Sequence, residues 1–183
     1  MDTEARTHWE QVYEHKAPHE VSWYEPMAKG SLALINGAGV ALDDPIVDIG
    51  GGTSGLAGGL LDAGYSNITV ADISRAALDR ARAKLGVAAD RIAWLEADVR
   101  QHDFARSYAL WHDRAVFHFM VETSDRDQYL ANLRSSLRAV VMLSSRRSAQ
   151  RARPNAAACP SLATARRRSP TSSPTSSCSP QAW

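Results

Sequence analysis

Residues 47–55, Val-Asp-Ile-Gly-Gly-Gly-Thr-Ser-Gly, contain a run of three glycines and a fourth three positions later. A short apolar segment leads into Asp48, and a segment rich in Leu and Ala follows the glycines. This order predicts a strand, a tight turn and a helix start, the junction at which doubly wound α/β proteins bind nucleotides. Glycine suits such a turn because the backbone must bend sharply and let a ligand lie against its N–H groups.

Strands and helices alternate along the chain on both sides of this turn. The apolar pattern predicts strands at 45–49, 67–71, 91–96 and about 108–112, and helices at 7–16, 31–35, 54–63, 74–85 and about 125–138. Ser74 and Ser124 are the expected N-caps of the last two helices. Strands that alternate with helices predict an α/β fold, a Rossmann-like doubly wound parallel sheet with helices on both faces.

Three acids, Asp48, Asp72 and Asp98, follow the first three predicted strands at matching positions. In a parallel sheet these positions meet at one edge. Asp72 can accept both hydroxyls of a ribose, and Asp98 is well placed to receive an adenine amino group. Asp48 precedes the glycines, where it suits a positively charged part of a ligand better than a phosphate.

Residues 50–55 also satisfy the dinucleotide pattern G-x-G-x-x-G. Two features disfavour NAD: an acid just before the turn would repel a pyrophosphate, and an acid after the third strand has no role in that pattern. The acids therefore favour S-adenosylmethionine as the cofactor. An NAD-dependent oxidoreductase remains the alternative enzyme.

Three segments resemble the first three binding motifs of class I S-adenosylmethionine-dependent methyltransferases: residues 48–52, 70–74 and 96–99. The chain is most similar to a small bacterial group that carries the segment Trp-His-Asp-Arg-Ala-Val-Phe-His-Phe, here residues 111–119. The resemblance covers residues 8–138. It implies an enzyme that transfers a methyl group to an unidentified O, N or S acceptor, either a small molecule or a protein.

The resemblance implies cofactor-binding roles for eight residues. Those at the methionine end would be Asp48, Gly50, Gly51 and Gly52. Asp72 would hold the ribose, and the adenine would meet Ile73, Asp98 and the backbone of Val99.

His112 and Asp113 end the fourth strand, beside the expected methyl acceptor, and are the candidate catalytic residues. Methyl transfer depends mainly on positioning, and a base is needed only if the acceptor must lose a proton. His112 is either that base or a residue that shapes the pocket. His118, between two phenylalanines, is expected to pack in the core. No metal site is predicted.

The sequence divides into three parts. Residues 1–40 are predicted to form an N-terminal helical lid over the cofactor and acceptor, with a helix stapled to the core as the alternative; its aromatic residues are Trp9, Tyr13, Trp23 and Tyr24. Residues 41–138 form the S-adenosylmethionine-binding domain. Residues 139–183 are a tail rich in Arg, Ser and Pro, for which disorder is predicted.

Charge and cysteine content separate the tail from the body. Seven arginines and no acid lie in the tail, which therefore has a net charge of +7. Because the whole chain has a net charge of +1, residues 1–138 have a net charge of −6. An acidic body argues against a nucleic-acid partner. Both cysteines lie in the tail, and no export signal or long apolar run is visible, which predicts a cytoplasmic protein without a membrane partner. The oligomeric state is not predicted.

The tail also departs from the fifth-strand pattern that the family carries after its fourth helix, typically Gly-Gly-His-Val-Val-Ile-Ala-Thr-Phe. Read from the third base of each codon, the possible codons of residues 140–148 permit this sequence. Our hypothesis is a one-base frameshift near codon 139. It predicts a chain that lacks the last strands, with its fourth strand left at an exposed sheet edge. An inactive remnant of a methyltransferase is therefore the second alternative.

Overall fold

The computed structural model describes residues 3–15, 28–138 and 142–143. The α-helices are α1 (Thr3–His15), α2 (Lys29–Gly37), α3 (Leu56–Asp62), α4 (Arg75–Leu85) and α5 (Thr123–Ser136). Among the described residues, 3₁₀ segments lie at Gly86–Arg91 and Val116–Phe119. The strands are β1 (Ile46–Ile49), β2 (Ile68–Asp72), β3 (Ile92–Glu96), β4 (Leu110–Asp113) and β5 (Met142–Leu143).

The strands form one parallel sheet in the order β3-β2-β1-β4-β5. Ile46 of β1 lies in register with Ile68 of β2 on one side and Leu110 of β4 on the other. The strand order reverses between β1 and β4, which is the point where open α/β sheets place their ligands. The predicted Rossmann-like α/β fold is confirmed.

Helices cover both faces of the sheet, as predicted. Ile46 and Leu110 belong to a core cluster with residues of α2, α3 and α4. Val47 and Trp111, whose side chains point to the opposite face, pack in a second cluster with residues of α5. Alternate residues of β1 and β4 are therefore buried against different helices.

The predicted elements are present, with ends that shift by at most four residues. Ser74 is the N-cap of α4, and its hydroxyl accepts a hydrogen bond from the Ala77 N–H at 3.1 Å. The predicted cap of the last helix, Ser124, is wrong because the helix begins at Thr123. Glu122 holds the N-cap position there, with extended backbone and no side-chain cap.

The prediction that β4 lies at an exposed edge is wrong over two residues. Trp111 and His112 of β4 pair with Met142 and Leu143 of β5, which is consistent with the apolar run of that segment. Within the tail from residue 139 onward, for which disorder is predicted, only residues 142 and 143 are described, as β5. The rest of residues 139–183, and residues 16–27 with Trp23 and Tyr24, lie outside the described residues. The frameshift stays a hypothesis.

Within the described ranges no helix combines the length and apolar character needed to cross a membrane. The same ranges contain no group of three or more His, Cys, Asp or Glu that could hold a metal ion. The cytoplasmic location and the lack of a nucleic-acid partner stay predictions.

Leu60 of α3 offers a test of the core between the sheet and its helices. Its side chain is fully buried, so Leu60→Ala is expected to lower the free energy of unfolding by about 2–5 kcal/mol, through lost burial and the cavity left behind. Urea unfolding followed by circular dichroism measures the change. Leu34→Ala in α2 is the matched control because Leu34 is 45% exposed. Equal losses in the two variants would contradict the assigned core.

Candidate functional site

A cavity opens at the carboxyl edge of β1, β2, β3 and β4. Seven of the ten candidate residues line it: Asp48, Gly50, Asp72, Ile73, Asp98, Val99 and His112. Gly51 and Gly52 are buried in the turn beside it. Asp113 does not line the cavity. The parallel register thus brings together residues that are up to 64 positions apart in the chain.

The glycine turn has steric requirements that only glycine meets. Gly50 has φ +68°, and a Cβ there would collide with the Val116 side chain. A Cβ on Gly52 would lie 2.6 Å from the Ala77 Cβ and 2.7 Å from Asp72 Oδ2. The turn can therefore lie directly against α4 and the Asp72 carboxylate.

Asp72 joins the glycine turn to the start of α4. Its Oδ2 accepts a hydrogen bond from the Gly52 N–H at 3.0 Å, and its Oδ1 accepts one from the Ser74 N–H at 2.9 Å. Burial raises the pKa of the Asp72 carboxyl to about 6, although the two N–H groups lower it. Each oxygen keeps a lone pair for a further donor, such as a sugar hydroxyl.

Asp48 and His112 are neighbours across β1 and β4, and both are buried. Asp48 Oδ1 lies 2.7 Å from His112 Nδ1, and Ser31 Oγ of α2 lies 2.9 Å from His112 Nε2. Asp48 Oδ2 is also buried and has no hydrogen-bond partner among the described residues. A buried carboxylate oxygen without a partner is costly, so Oδ2 is the natural place for a ligand's donor.

Asp98 is held in the cavity wall by Arg100. The guanidinium donates from Nε to Asp98 Oδ1 at 2.9 Å and from Nη2 to Oδ2 at 2.7 Å. Nη1 of Arg100 donates to Asp125 of α5 at 2.7 Å. A two-point contact of this kind fixes the plane of the carboxylate as well as its position.

Asp113 supports the loop that follows β4. Its Oδ1 accepts from the Val116 N–H at 2.8 Å, and its Oδ2 accepts from the Phe117 N–H at 3.1 Å and from the Tyr129 hydroxyl at 2.6 Å. Burial raises the pKa of Asp113. Trp111 Nε1 donates to the same Tyr129 hydroxyl at 2.9 Å. These contacts tie the loop to α5 and leave Asp113 away from the cavity.

The loop after β4 places other side chains at the cavity. Arg114, Val116 and Phe119 line it. His118, which was predicted to pack in the core, is exposed. That prediction is wrong because residues 116–119 form a 3₁₀ turn in which neighbouring side chains point in different directions.

The N-terminal helix α1 lies over one side of the cavity. Trp9 and Tyr13 line the cavity, and the Trp9 ring meets the Phe119 ring edge-on, 4.9 Å between centroids. Glu10 fixes the helix to α4: its Oε1 accepts from the Ala76 N–H at 3.0 Å, and its Oε2 accepts from the Ser74 hydroxyl at 2.6 Å. An acid is favourable there because a helix N-terminus carries partial positive charge.

Sequence reasoning missed Ser31, Glu10 and Arg100. Ser31 and Glu10 lie in helices far along the chain from the residues they contact, and no spacing rule links them. Arg100 stands two residues after Asp98, a separation that permits the observed pairing. This short separation in the sequence was the signal from which the Arg100–Asp98 ion pair could have been predicted.

The comparisons with known proteins agree with this fold. A family model described as a methyltransferase domain matches residues 46–139, slightly more than half of the chain. The chain belongs to the methyltransferase family. No curated protein matches the sequence.

Solved methyltransferase structures share the fold at low sequence identity. The glycopeptide N-methyltransferase MtfA, complexed with S-adenosyl-L-homocysteine, has a TM-score of 0.54 at 16% identity and covers 69% of this chain and 54% of its own. A TehB-like SAM-dependent methyltransferase from Corynebacterium glutamicum has a TM-score of 0.52 at 16% identity, and the match covers 74% of this chain and 66% of that protein. Phosphoethanolamine N-methyltransferase 1 from Haemonchus contortus has a TM-score of 0.59 at 16% identity, and the match covers 76% of this chain and 31% of that protein. The chain spans about half the length of MtfA.

The raised pKa of Asp72 predicts a pH dependence of stability. The carboxyl binds its proton more tightly in the folded state, with a pKa of about 6, than at its ordinary value of 3.8. The contribution of Asp72 to the free energy of unfolding should therefore fall as the pH rises from about 4 to 6, by about 3 kcal/mol in total. Carboxyl ¹³C NMR should show one aspartate titrating near pH 6.

The Asp72→Asn variant assigns that resonance, which should disappear from its spectrum. If no carboxyl resonance titrates near pH 6 in the unaltered protein, the described environment of Asp72 is wrong.

Proposed function

We propose that this protein is an S-adenosylmethionine-dependent methyltransferase. The observation that carries the proposal is the convergence of Asp48, Asp72 and Asp98 on one cavity beside the glycine turn. The family match supports the same activity. The structure of MtfA complexed with S-adenosyl-L-homocysteine shares the fold and supports the choice of cofactor.

The chemistry of the three acids fits the three parts of this cofactor. Asp48 Oδ2, which lacks a partner among the described residues, suits the cationic amino group at the methionine end, beside Gly50, Gly51 and Gly52. Asp72 suits the ribose hydroxyls. Asp98 suits the adenine amino group, with Ile73 and Val99 lining the same cavity.

Asp48 also distinguishes this cofactor from NAD. An NAD pyrophosphate would lie against the glycine turn, where Gly51 packs directly on Asp48 Oδ2. A buried anion there repels a diphosphate and attracts a cation. We therefore propose methyl transfer and not hydride transfer.

We assign positioning roles to His112 and Asp113. Both ring nitrogens of His112 are occupied by protein partners, Asp48 and Ser31, so neither is available to take a proton from an acceptor. Asp113 uses both oxygens to hold the loop after β4. Of the two alternatives for His112, the geometry favours the residue that shapes the pocket.

Methyl transfer requires the protein mainly to bind and orient the two reactants. When bound, S-adenosylmethionine supplies a methyl group on a cationic sulfur that leaves as a neutral thioether. The residues of this chain bind and orient the reactants, because attack must come in line with the bond that breaks. Trp9, Tyr13, Phe119 and Met120 form an apolar and aromatic wall on one side of the cavity. The methyl acceptor is a small molecule or a protein.

Titration calorimetry tests the cofactor assignment. We expect saturable binding of S-adenosylhomocysteine and no binding of NAD. Asp72→Asn should weaken binding at least about tenfold, because an amide replaces one acceptor by a donor that faces an N–H group. Asp79→Asn in α4 is the matched control, since Asp79 is exposed. Thermal unfolding verifies that each variant folds.

Saturable binding of NAD in place of S-adenosylhomocysteine would make the protein an oxidoreductase. An acceptor screen tests the second alternative. Binding of the cofactor without transfer to any acceptor, together with activity of a frame-restored version, would identify this chain as an inactive remnant.

We further propose that α1 is a lid over the cofactor, within a segment of residues 1–40 that precedes the domain at 41–138. Trp9 and Tyr13 line the cavity, and the helix is fixed to α4 through Glu10. Residues that line a ligand cavity on a separate helix are well placed to control entry and exit.

Glu10→Ala should release this lid. The loss of two hydrogen bonds to a charged group should speed amide hydrogen exchange in residues 3–15 about tenfold or more, measured by mass spectrometry. Glu14→Ala is the matched control because its side chain is exposed on the same helix. Added S-adenosylhomocysteine should slow exchange in α1 of the unaltered protein. Unchanged exchange with the ligand would favour a helix stapled to the core.

A further inference from the structure

Ser31, His112 and Asp48 form a hydrogen-bonded chain that runs from α2 through β4 to β1. The Ser31 hydroxyl meets Nε2 of the imidazole at 2.9 Å, and Nδ1 meets Asp48 Oδ1 at 2.7 Å. All three side chains are almost fully buried. A buried polar chain of this kind is stabilising only when its members satisfy one another.

The order of these groups is that of a hydrolase triad, yet the burial excludes that function. A nucleophilic serine must reach a substrate. Ser31 is 1% exposed and does not line the cavity, whereas Asp48 at the other end of the chain does. The functional end is therefore the carboxylate.

The hydrogen bonds fix the orientation of that carboxylate. An ionised carboxylate only accepts hydrogen bonds, so Nδ1 of His112 carries a proton and donates to Asp48 Oδ1. The imidazole is held from its other side by Ser31, which stops the ring from turning about its bonds. With Oδ1 engaged, Oδ2 is the oxygen left without a partner among the described residues.

We infer that Ser31 is a positioning residue for the cofactor's amino group, acting through His112 on Asp48. This inference rests on the proposed function and deepens it. Ser31 itself does not line the cavity. It holds the imidazole so that Asp48 keeps Oδ2 directed at a cationic amine.

The experiment compares two ligands that differ only at the end that Asp48 would bind. S-adenosylhomocysteine carries the amino-acid part, and 5′-methylthioadenosine retains the adenine, ribose and thioether without it. Ser31→Ala should weaken S-adenosylhomocysteine binding about three- to tenfold and change 5′-methylthioadenosine binding less than about twofold. Ser31→Thr, which keeps the hydroxyl, should restore most of the loss. Titration calorimetry gives each dissociation constant.

A double-mutant cycle with Asp48→Asn tests the connection itself. In the Asp48→Asn background, Ser31→Ala should produce no further loss of S-adenosylhomocysteine binding, because the two residues act on the same contact. Independent, additive losses would overturn the inference. Equal losses for the two ligands would also overturn it, since they would mean a general structural effect.

Imidazole ¹⁵N NMR of the unaltered protein does not depend on the fold of any variant. A proton on Nδ1 of His112 is expected, and a ring protonated on Nε2 alone would overturn the inference. If the unaltered chain binds neither ligand, the proposed function fails together with the inference. If it binds S-adenosylhomocysteine and Ser31→Ala binds it equally well, the inference alone fails.

Discussion

The buried carboxylate of Asp72 connects the elements that form the site. One oxygen accepts the Gly52 N–H of the turn after β1, and the other accepts the Ser74 N–H at the start of α4. The Ser74 hydroxyl in turn donates a hydrogen bond to the Glu10 carboxylate of α1. A single residue at the end of β2 thus links the glycine turn, the helix beside it and the helix above the cavity. The packing of Gly52 against the same carboxylate explains why that turn excludes a side chain.

This arrangement places two carboxylates, Asp48 and Asp72, close together in a buried position beside the cavity. Burial raises the pKa of Asp72, and the nearby charge of Asp48 contributes in the same direction. Two buried carboxylates on one edge of the sheet repel each other and lose hydration. A ligand that brings hydroxyl donors to one and a cationic amine to the other relieves both costs. An anionic ligand would instead add to the repulsion between these carboxylates.

The sequence alone predicted the parts of the fold and site that follow from local pattern. Apolar periodicity located β1 to β4 and the helices between them, and their alternation predicted the parallel sheet. Asp48, Asp72 and Asp98 could be found because strand ends in such a sheet share one edge. Residues that reach the site from outside this repeat could not be found, since contacts such as Glu10 with Ser74 depend on how a separate helix packs. The same limit applies to Ser31, whose partner lies 81 residues away.

His112 and Asp113 show why adjacency in the sequence is a poor guide to a shared role. Successive residues of a strand point to opposite faces, so His112 meets Asp48 and Ser31 on the side of α2, while Asp113 meets Tyr129 on the side of α5. One end of β4 therefore supports the cavity wall from one face and the neighbouring loop from the other. Both residues act on the cavity through the groups they hold. A polar pair at the end of a parallel strand is better interpreted face by face, with each member assigned to the helix that covers it.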